Sequence, residues 1–195
     1  IDAANAKPSD IVAMADVVGY AGVGVYSVDG TASGLYATYY NDPAWTDVLL
    51  TRIDHSCVSP TRFIPPINGM ELTFSIKRVG TINPRYTETY TFTGTNLTTT
   101  KSKLIINAST VFDCTGGGAD NGTIALTANT PVSFEYYITA DISEPGSLWG
   151  SNLTWQSATQ AAEEVPNSRF AHTVTASAGR QWTDDRIWWL LELYT

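Results

Sequence analysis

The sequence predicts an all-β fold: an antiparallel β-sandwich or jelly roll, immunoglobulin-like or an elongated variant, with at most one short helix. Three observations carry this. About ten short runs of β-branched and aromatic residues are separated by turn residues roughly every 8–15 positions. Several of these runs alternate apolar and polar residues with period two, as strands with one buried and one solvated face do. Almost nowhere do apolar residues recur at the ~3.6-residue spacing of a helix face.

Taken in order, residues 1–9 have no period. Residues 10–26 are rich in Val, Ala and Gly and fit either a short helix from an Asp10 cap or one or two buried strands. Gly19, Gly22 and Gly24, with Val23 and Val25 alternating, favour strand in the second half. Asp29-Gly30 signals a turn, and the aromatic run 36–40 ends at another, Asn41-Asp42-Pro43. Residues 45–55 read as a strand, with Val48, Leu50 and Arg52 alternating, before Pro60, Pro65 and Pro66 impose an irregular loop.

The clearest strand is 70–79, with Met70, Leu72, Phe74 and Ile76 on one side and Glu71, Thr73, Ser75 and Lys77 on the other. Residues 86–92 alternate likewise after Asn83-Pro84, and the two runs together predict a hairpin. Residues 103–112 read as one more strand and 114–122 as a flexible Gly-rich loop. Strands at 123–126 and 132–140 flank the turn Asn129-Thr130-Pro131. Beyond Pro145-Gly146 come a short aromatic segment at 148–155, the one short helix at 159–165, and closing strands at 170–176 and 186–194. With no repeat, linker or coiled coil, residues 1–195 read as a single sandwich domain.

Composition narrows the function. The chain is 43% hydrophobic and 15% charged, with 6 Trp and 10 Tyr, which excludes intrinsic disorder. A net charge of -8 argues against a nucleic-acid partner, because phosphate binding is led by basic clusters. The longest apolar run, 187–191, is far below the ~20 residues of a membrane span, so no membrane insertion is expected. Seven of the 11 basic residues lie between Arg52 and Lys103, while residues 104–168 contain acidic residues but no Lys or Arg. Such a split fits either one acidic face or rim on the sandwich or simply a solvated surface.

The first residue, Ile1, reads as a processed terminus, and a secreted, extracellular location is expected. In that setting the two cysteines, Cys57 and Cys114, read as one disulfide between strands, with two buried thiols as the alternative. Four Asn-x-Ser/Thr sequons, at Asn96, Asn107, Asn121 and Asn152, fall on segments expected to be solvated.

No motif names a reaction, and the protein is expected not to be an enzyme. Phe134-Glu135-Tyr136-Tyr137-Ile138 resembles the nucleophile strand of small jelly-roll xylanases, but a retaining glycosidase needs a second carboxyl close by. Glu163, Glu164 and Glu192 lack that family's Glu-Gly setting. Asp54-His55-Ser56 holds triad residue types as neighbours, which seldom converge in space. Asp113, Asp120 and Asn121 flank the Gly-rich loop without the EF-hand order, and the Cys and His are too few for a zinc site. No metal or cofactor is expected.

Aromatic and polar loops remain. Carbohydrate sites stack flat aromatics on sugar C–H faces and fix hydroxyls with polar groups. Two loops combine these types. One offers Tyr39, Tyr40, Asp42 and Trp45, the other Trp182, Asp184 and Asp185. The segment from Trp149 to Trp155, with Asn152 between, is a third candidate.

An acidic, Thr-rich sandwich with paired cysteines, aromatic loops and the apolar start Ile1-Asp2 resembles the receptor-binding (lectin) domain of bacterial chaperone–usher pilus tip adhesins. The resemblance implies a cell-surface appendage, a glycan or host-surface receptor as partner, and pilus subunits as neighbours. In the mannose-binding branch the free amino terminus lines the sugar pocket. The alternating end Trp188, Leu190 and Tyr194 is similar to the terminal strand of pilus subunits. A structural filament subunit is therefore the alternative, with a viral capsid or spike jelly roll as a third reading.

Overall fold

A computed structural model describes residues 31–173. The expectations for Ile1-Asp2, the 10–26 segment, Asp29-Gly30, the loop with Trp182, Asp184 and Asp185, and the end with Trp188 and Tyr194 lie outside the described residues. Within them, Ser33–His172 is one compact unit. It is an antiparallel β-sandwich without an α-helix among the described residues, as the alternation predicts.

Among the described residues thirteen strands follow one another: β1 (Thr31–Ser33), β2 (Leu35–Tyr40), β3 (Val48–Asp54), β4 (Ser59–Arg62), β5 (Thr73–Ile82), β6 (Glu88–Asn96), β7 (Thr100–Ile106), β8 (Ser109–Cys114), β9 (Gly118–Leu126), β10 (Val132–Asp141), β11 (Trp149–Gln156), β12 (Glu163–Glu164) and β13 (Phe170–Thr173). The first sheet runs β3-β2-β5-β10-β7-β8. The long strand β5 holds β2 along residues 75–79 and β13 at residues 81–82 of the same edge. The second sheet runs β9-β6-β11, with β4 and β12 sharing the outer edge of β11.

The core lies between the inner faces. Phe74 and Ile76 of β5, Leu104 and Ile106 of β7, and Phe134, Tyr136 and Ile138 of β10 face Tyr90 and Phe92 of β6 and Trp149, Leu153 and Trp155 of β11. Tyr90 stacks on Trp155 at 5.0 Å, and Phe74 meets Trp149 edge-on at 5.0 Å. Burying each such side chain stabilises the fold by about 1.5–3 kcal/mol. Glycines let the layers close. A Cβ on Gly122 would lie 1.7 Å from the Val111 carbonyl oxygen, and one on Gly94 would lie 2.6 Å from the Phe112 ring.

Several expectations are corrected. Residues 70–79 and 86–92 do not form a hairpin, because β5 and β6 belong to opposite sheets and the chain crosses the sandwich between them. The run 103–112 is not one strand. It folds back at Asn107-Ala108, both in the left-handed region (φ 51° and 60°), which gives the two-residue hairpin β7–β8. Most of the predicted Gly-rich loop is strand: β9 begins at Gly118 and pairs with β6 from Asn96 back to Glu88. The predicted helix at 159–165 is absent. Glu163 and Glu164 pair with β11 instead, and the only helical turn among the described residues is 3-10, at Asn167–Arg169.

Leu72 is exposed rather than core, since β5 begins only at Thr73. Cys57 and Cys114 are free thiols, both buried, not the expected disulfide. Cys57 sits among the core residues beside charged Arg78 and Asp54, while the Cys114 thiol donates to the Gly116 carbonyl at 3.0 Å. Nor is the Asn96 sequon solvated. Asn96 is 5% exposed and its amide donates to Ser102 Oγ at 2.8 Å.

Candidate functional site

The β2–β3 hairpin ends in a loop whose shape is set by one carboxylate. Asp42 accepts the backbone N–H groups of Ala44 (2.8 Å), Thr46 (3.1 Å) and Asp47 (2.7 Å) and the Thr46 hydroxyl. The Thr46 hydroxyl first, and then these backbone donors, hold the Asp42 carboxyl down to about 2. The loop closes with Asn41 N–H on the Asp47 carbonyl at 2.8 Å. It is tied down to β5 by the Ser75 hydroxyl, which donates to the Asp42 carbonyl at 2.7 Å. The outcome is Trp45 with φ 58°, an uncommon conformation for a bulky residue, and with 40% of its surface exposed.

Trp45 stands at the outer face of the first sheet. Its ring meets Tyr137 of β10 edge-on, with centroids 5.6 Å apart. Tyr137 is flanked in register by Lys77 of β5 on one side and Lys103 of β7 on the other. Lys77 Nζ lies 5.0 Å from the Tyr137 ring centre and 3.3 Å from Glu135 Oε2, and the Tyr137 hydroxyl donates to that same oxygen at 2.5 Å. Lys103 Nζ pairs with Asp113 Oδ2 at 3.0 Å. An open cavity of about 370 Å³ is lined by Trp45, Tyr137, Lys101, Lys103, Asp113 and Thr139, among others.

The charges here are settled by their neighbours. The Tyr137 hydroxyl, then Lys77, keep Glu135 below the usual carboxylate range although partial burial opposes this. Hydrogen bonding to Tyr137 and to Glu135 raises Lys77. Burial and the bond to Glu135 raise Tyr137. Around neutral pH the face therefore carries an ionised acceptor, a phenol and ammonium donors beside the exposed Trp45 indole and the half-buried Tyr137 ring. The Glu135 side chain is engaged by Lys77 and Tyr137.

A buried polar cluster holds the hairpin in place. Asp54 of β3 accepts the Tyr39 hydroxyl at 2.7 Å, Arg52 Nε at 2.8 Å and Arg78 Nε at 2.9 Å. Arg52 Nη2 donates to the Tyr39 oxygen at 2.6 Å, and Arg78 Nη2 to Ser59 Oγ at 3.4 Å. Four elements, β2, β3, β4 and β5, are joined by these contacts.

The structure thus sorts the predicted site residues. Trp45 is at the site. Tyr40 is half-buried, two places beyond Thr38 on the outward side of β2. Asp42 shapes the loop from within. Tyr39 is core, 1% exposed and committed to Asp54, so it cannot face a ligand. Trp149 and Trp155 are core as well, which removes the third candidate. Sequence reasoning passed over Lys77, Lys101, Lys103, Asp113 and Tyr137 as binding residues and weighed Glu135 only as a nucleophile. The outward parity of 132–140 marks Tyr137, but its neighbours come from strands distant in the chain.

No family model and no curated protein matches the chain. Solved structures do. An anti-sigma factor domain-containing protein is 26% identical, with a TM-score of 0.63 over 77% of this chain and 50% of that one. A PA14 sugar-binding domain from an RTX adhesin is 16% identical, with a TM-score of 0.58 over 72% of this chain and 99% of that one. The epithelial adhesin 9 A domain of Candida glabrata, in complex with Galb1-4GlcNAc, is 8% identical, with a TM-score of 0.57 over 76% of this chain and 93% of that one. The chain shares the fold of these domains. It spans about half the length of the anti-sigma factor domain-containing proteins it matches. The likeness is one of fold, and none of these three is named as the pilus-tip domain of the sequence resemblance.

Proposed function

We propose that this chain is a carbohydrate-binding, adhesin-type module whose site is the Trp45–Tyr137 face of the first sheet. The observation that carries the reading is Trp45 itself, a large aromatic held outward by a loop built around Asp42, beside a second ring and charged groups. A sugar's C–H face stacks on such a ring, and its hydroxyls find Asp113, Lys101 and Lys103 within the same cavity, with Glu135 and Lys77 beside Tyr137. A rigid sheet that positions a recognition loop is a common division of labour. The names of the neighbours support it, since one is a sugar-binding domain and another was solved with a disaccharide.

The expected partner is a glycan or host-surface receptor, and the expected location is extracellular, at the cell surface. The 26% identical neighbour favours one particular setting, in which the module is one part of a longer protein that also carries an anti-sigma factor domain.

The test is Trp45→Ala, with folding confirmed by circular dichroism and binding read on a glycan array and by titration. Loss of a central aromatic anchor should cost about 2 kcal/mol, more than tenfold in affinity. Unchanged affinity in the folded variant removes this site.

A further inference from the structure

We infer that the saccharide taken at the Trp45–Tyr137 face is anionic, bearing carboxylate or sulfate groups. This rests on the carbohydrate-binding reading above. Three of the chain's four lysines, Lys77, Lys101 and Lys103, lie on this one face, although the whole chain carries a net charge of -8. Their placement follows from register. Tyr137 is opposite Lys77 on one neighbouring strand and Lys103 on the other, so each lysine backbone is about 4.8 Å from that of the tyrosine. Lys101 is two residues from Lys103, on the same side of β7 and about 6.8 Å along it, and it faces Thr139.

The charges do not cancel. Lys77 pairs with Glu135 and Lys103 with Asp113, whereas Lys101 is exposed and makes no ion pair among the described residues. Of the cavity's charged lining residues, two are lysines, Lys101 and Lys103, and one is a carboxylate, Asp113, which leaves one excess positive charge, contributed by Lys101 at the wall. The two existing pairs are a third to a half exposed, so they are readily exchanged for a ligand's anion. Trp45 selects a saccharide over an acidic peptide, because it offers a flat apolar surface where the lysines offer only charge.

The experiment measures affinity of the intact chain for hyaluronan and chondroitin sulfate hexasaccharides, which carry carboxylate alone or carboxylate with sulfate. Cellohexaose and chitohexaose serve as neutral probes and polyglutamate as an acidic peptide. The parent should bind at least one anionic saccharide about fivefold or more tightly than the neutral ones, as one partly exposed charge contact allows. That preference should fade as salt rises from about 0.05 to about 0.5 M. Comparing the two anionic probes separates carboxylate from sulfate recognition. Lys101→Gln should abolish the preference, lowering affinity for the anionic saccharide more than for the neutral ones, whereas Trp45→Ala should weaken both alike.

Neutral saccharides binding as tightly as anionic ones, or a preference that survives Lys101→Gln, overturns this inference and leaves carbohydrate binding standing. Polyglutamate binding as tightly as hyaluronan also overturns it, in favour of unselective cation exchange. Failure of the folded parent to bind any saccharide overturns both readings.

Discussion

Deleting the Asp54 carboxylate should damage the protein far more than deleting its whole ion pair. Asp54 is 8% exposed, Arg78 is 4% exposed, and they meet at 2.9 Å between the sheets. Arg78 Nη1 already lacks a hydrogen-bond partner. In Asp54→Ala the guanidinium would keep only Ser59 Oγ at 3.4 Å. A buried charge stranded in this manner costs about 3–5 kcal/mol, a large share of the roughly 5–15 kcal/mol that holds a domain folded. Replacing both charges, as Asp54→Leu with Arg78→Met, removes the stranded group and should return stability to within about 1–2 kcal/mol of the parent.

Urea unfolding followed by tryptophan fluorescence reads this directly, because Trp149 and Trp155 are buried. The reasoning is refuted if the single variant loses less than about 1 kcal/mol, or if the double variant is no more stable than the single one. A pH dependence accompanies it. Burial pushes the Asp54 carboxyl up, but the Arg78 charge and the hydrogen bonds from Tyr39, Arg52 and Arg78 outweigh burial and leave it below the usual range. Its contribution is therefore complete above the unfolded carboxylate value near ~4 and is lost as pH falls through the lower folded value.

Two further outcomes are expected. Ala108→Gly should stabilise the β7–β8 hairpin by about 0.5–1 kcal/mol, because Ala108 sits at φ 60° where glycine bears no Cβ penalty; an unchanged or lower urea midpoint contradicts this. Cys57, whose thiol burial pushes up to about 12, should be silent toward a thiol reagent at pH 8 in the native protein. Denatured without reductant, the chain should then titrate two thiols, and a titre of none would restore the disulfide.

Residue by residue, the sequence displays which side of a strand faces inward, because that depends only on a period of two along a short stretch of chain. Phe74 and Ile76, and the all-β class itself, were legible for that reason. So was Trp45 as a loop aromatic after Asn41-Asp42-Pro43. Partners were not legible. The rule that made 70–79 and 86–92 strands also made them look like a hairpin, yet their pairing is with β10 and β9, chosen by which distant faces fill the space between two sheets. Tyr39, read as a ligand contact, is inward, where its hydroxyl bonds Asp54 and Arg52 of β3 and Arg78 of β5 holds the same Asp54 carboxylate. Lys77, Lys103 and Tyr137 are dispersed over 61 positions of sequence and become neighbours only through β5–β10–β7 pairing. Facing is a local property of the backbone pleat, whereas adjacency is a long-range one that exists only once the chain has closed its loops and packed its core.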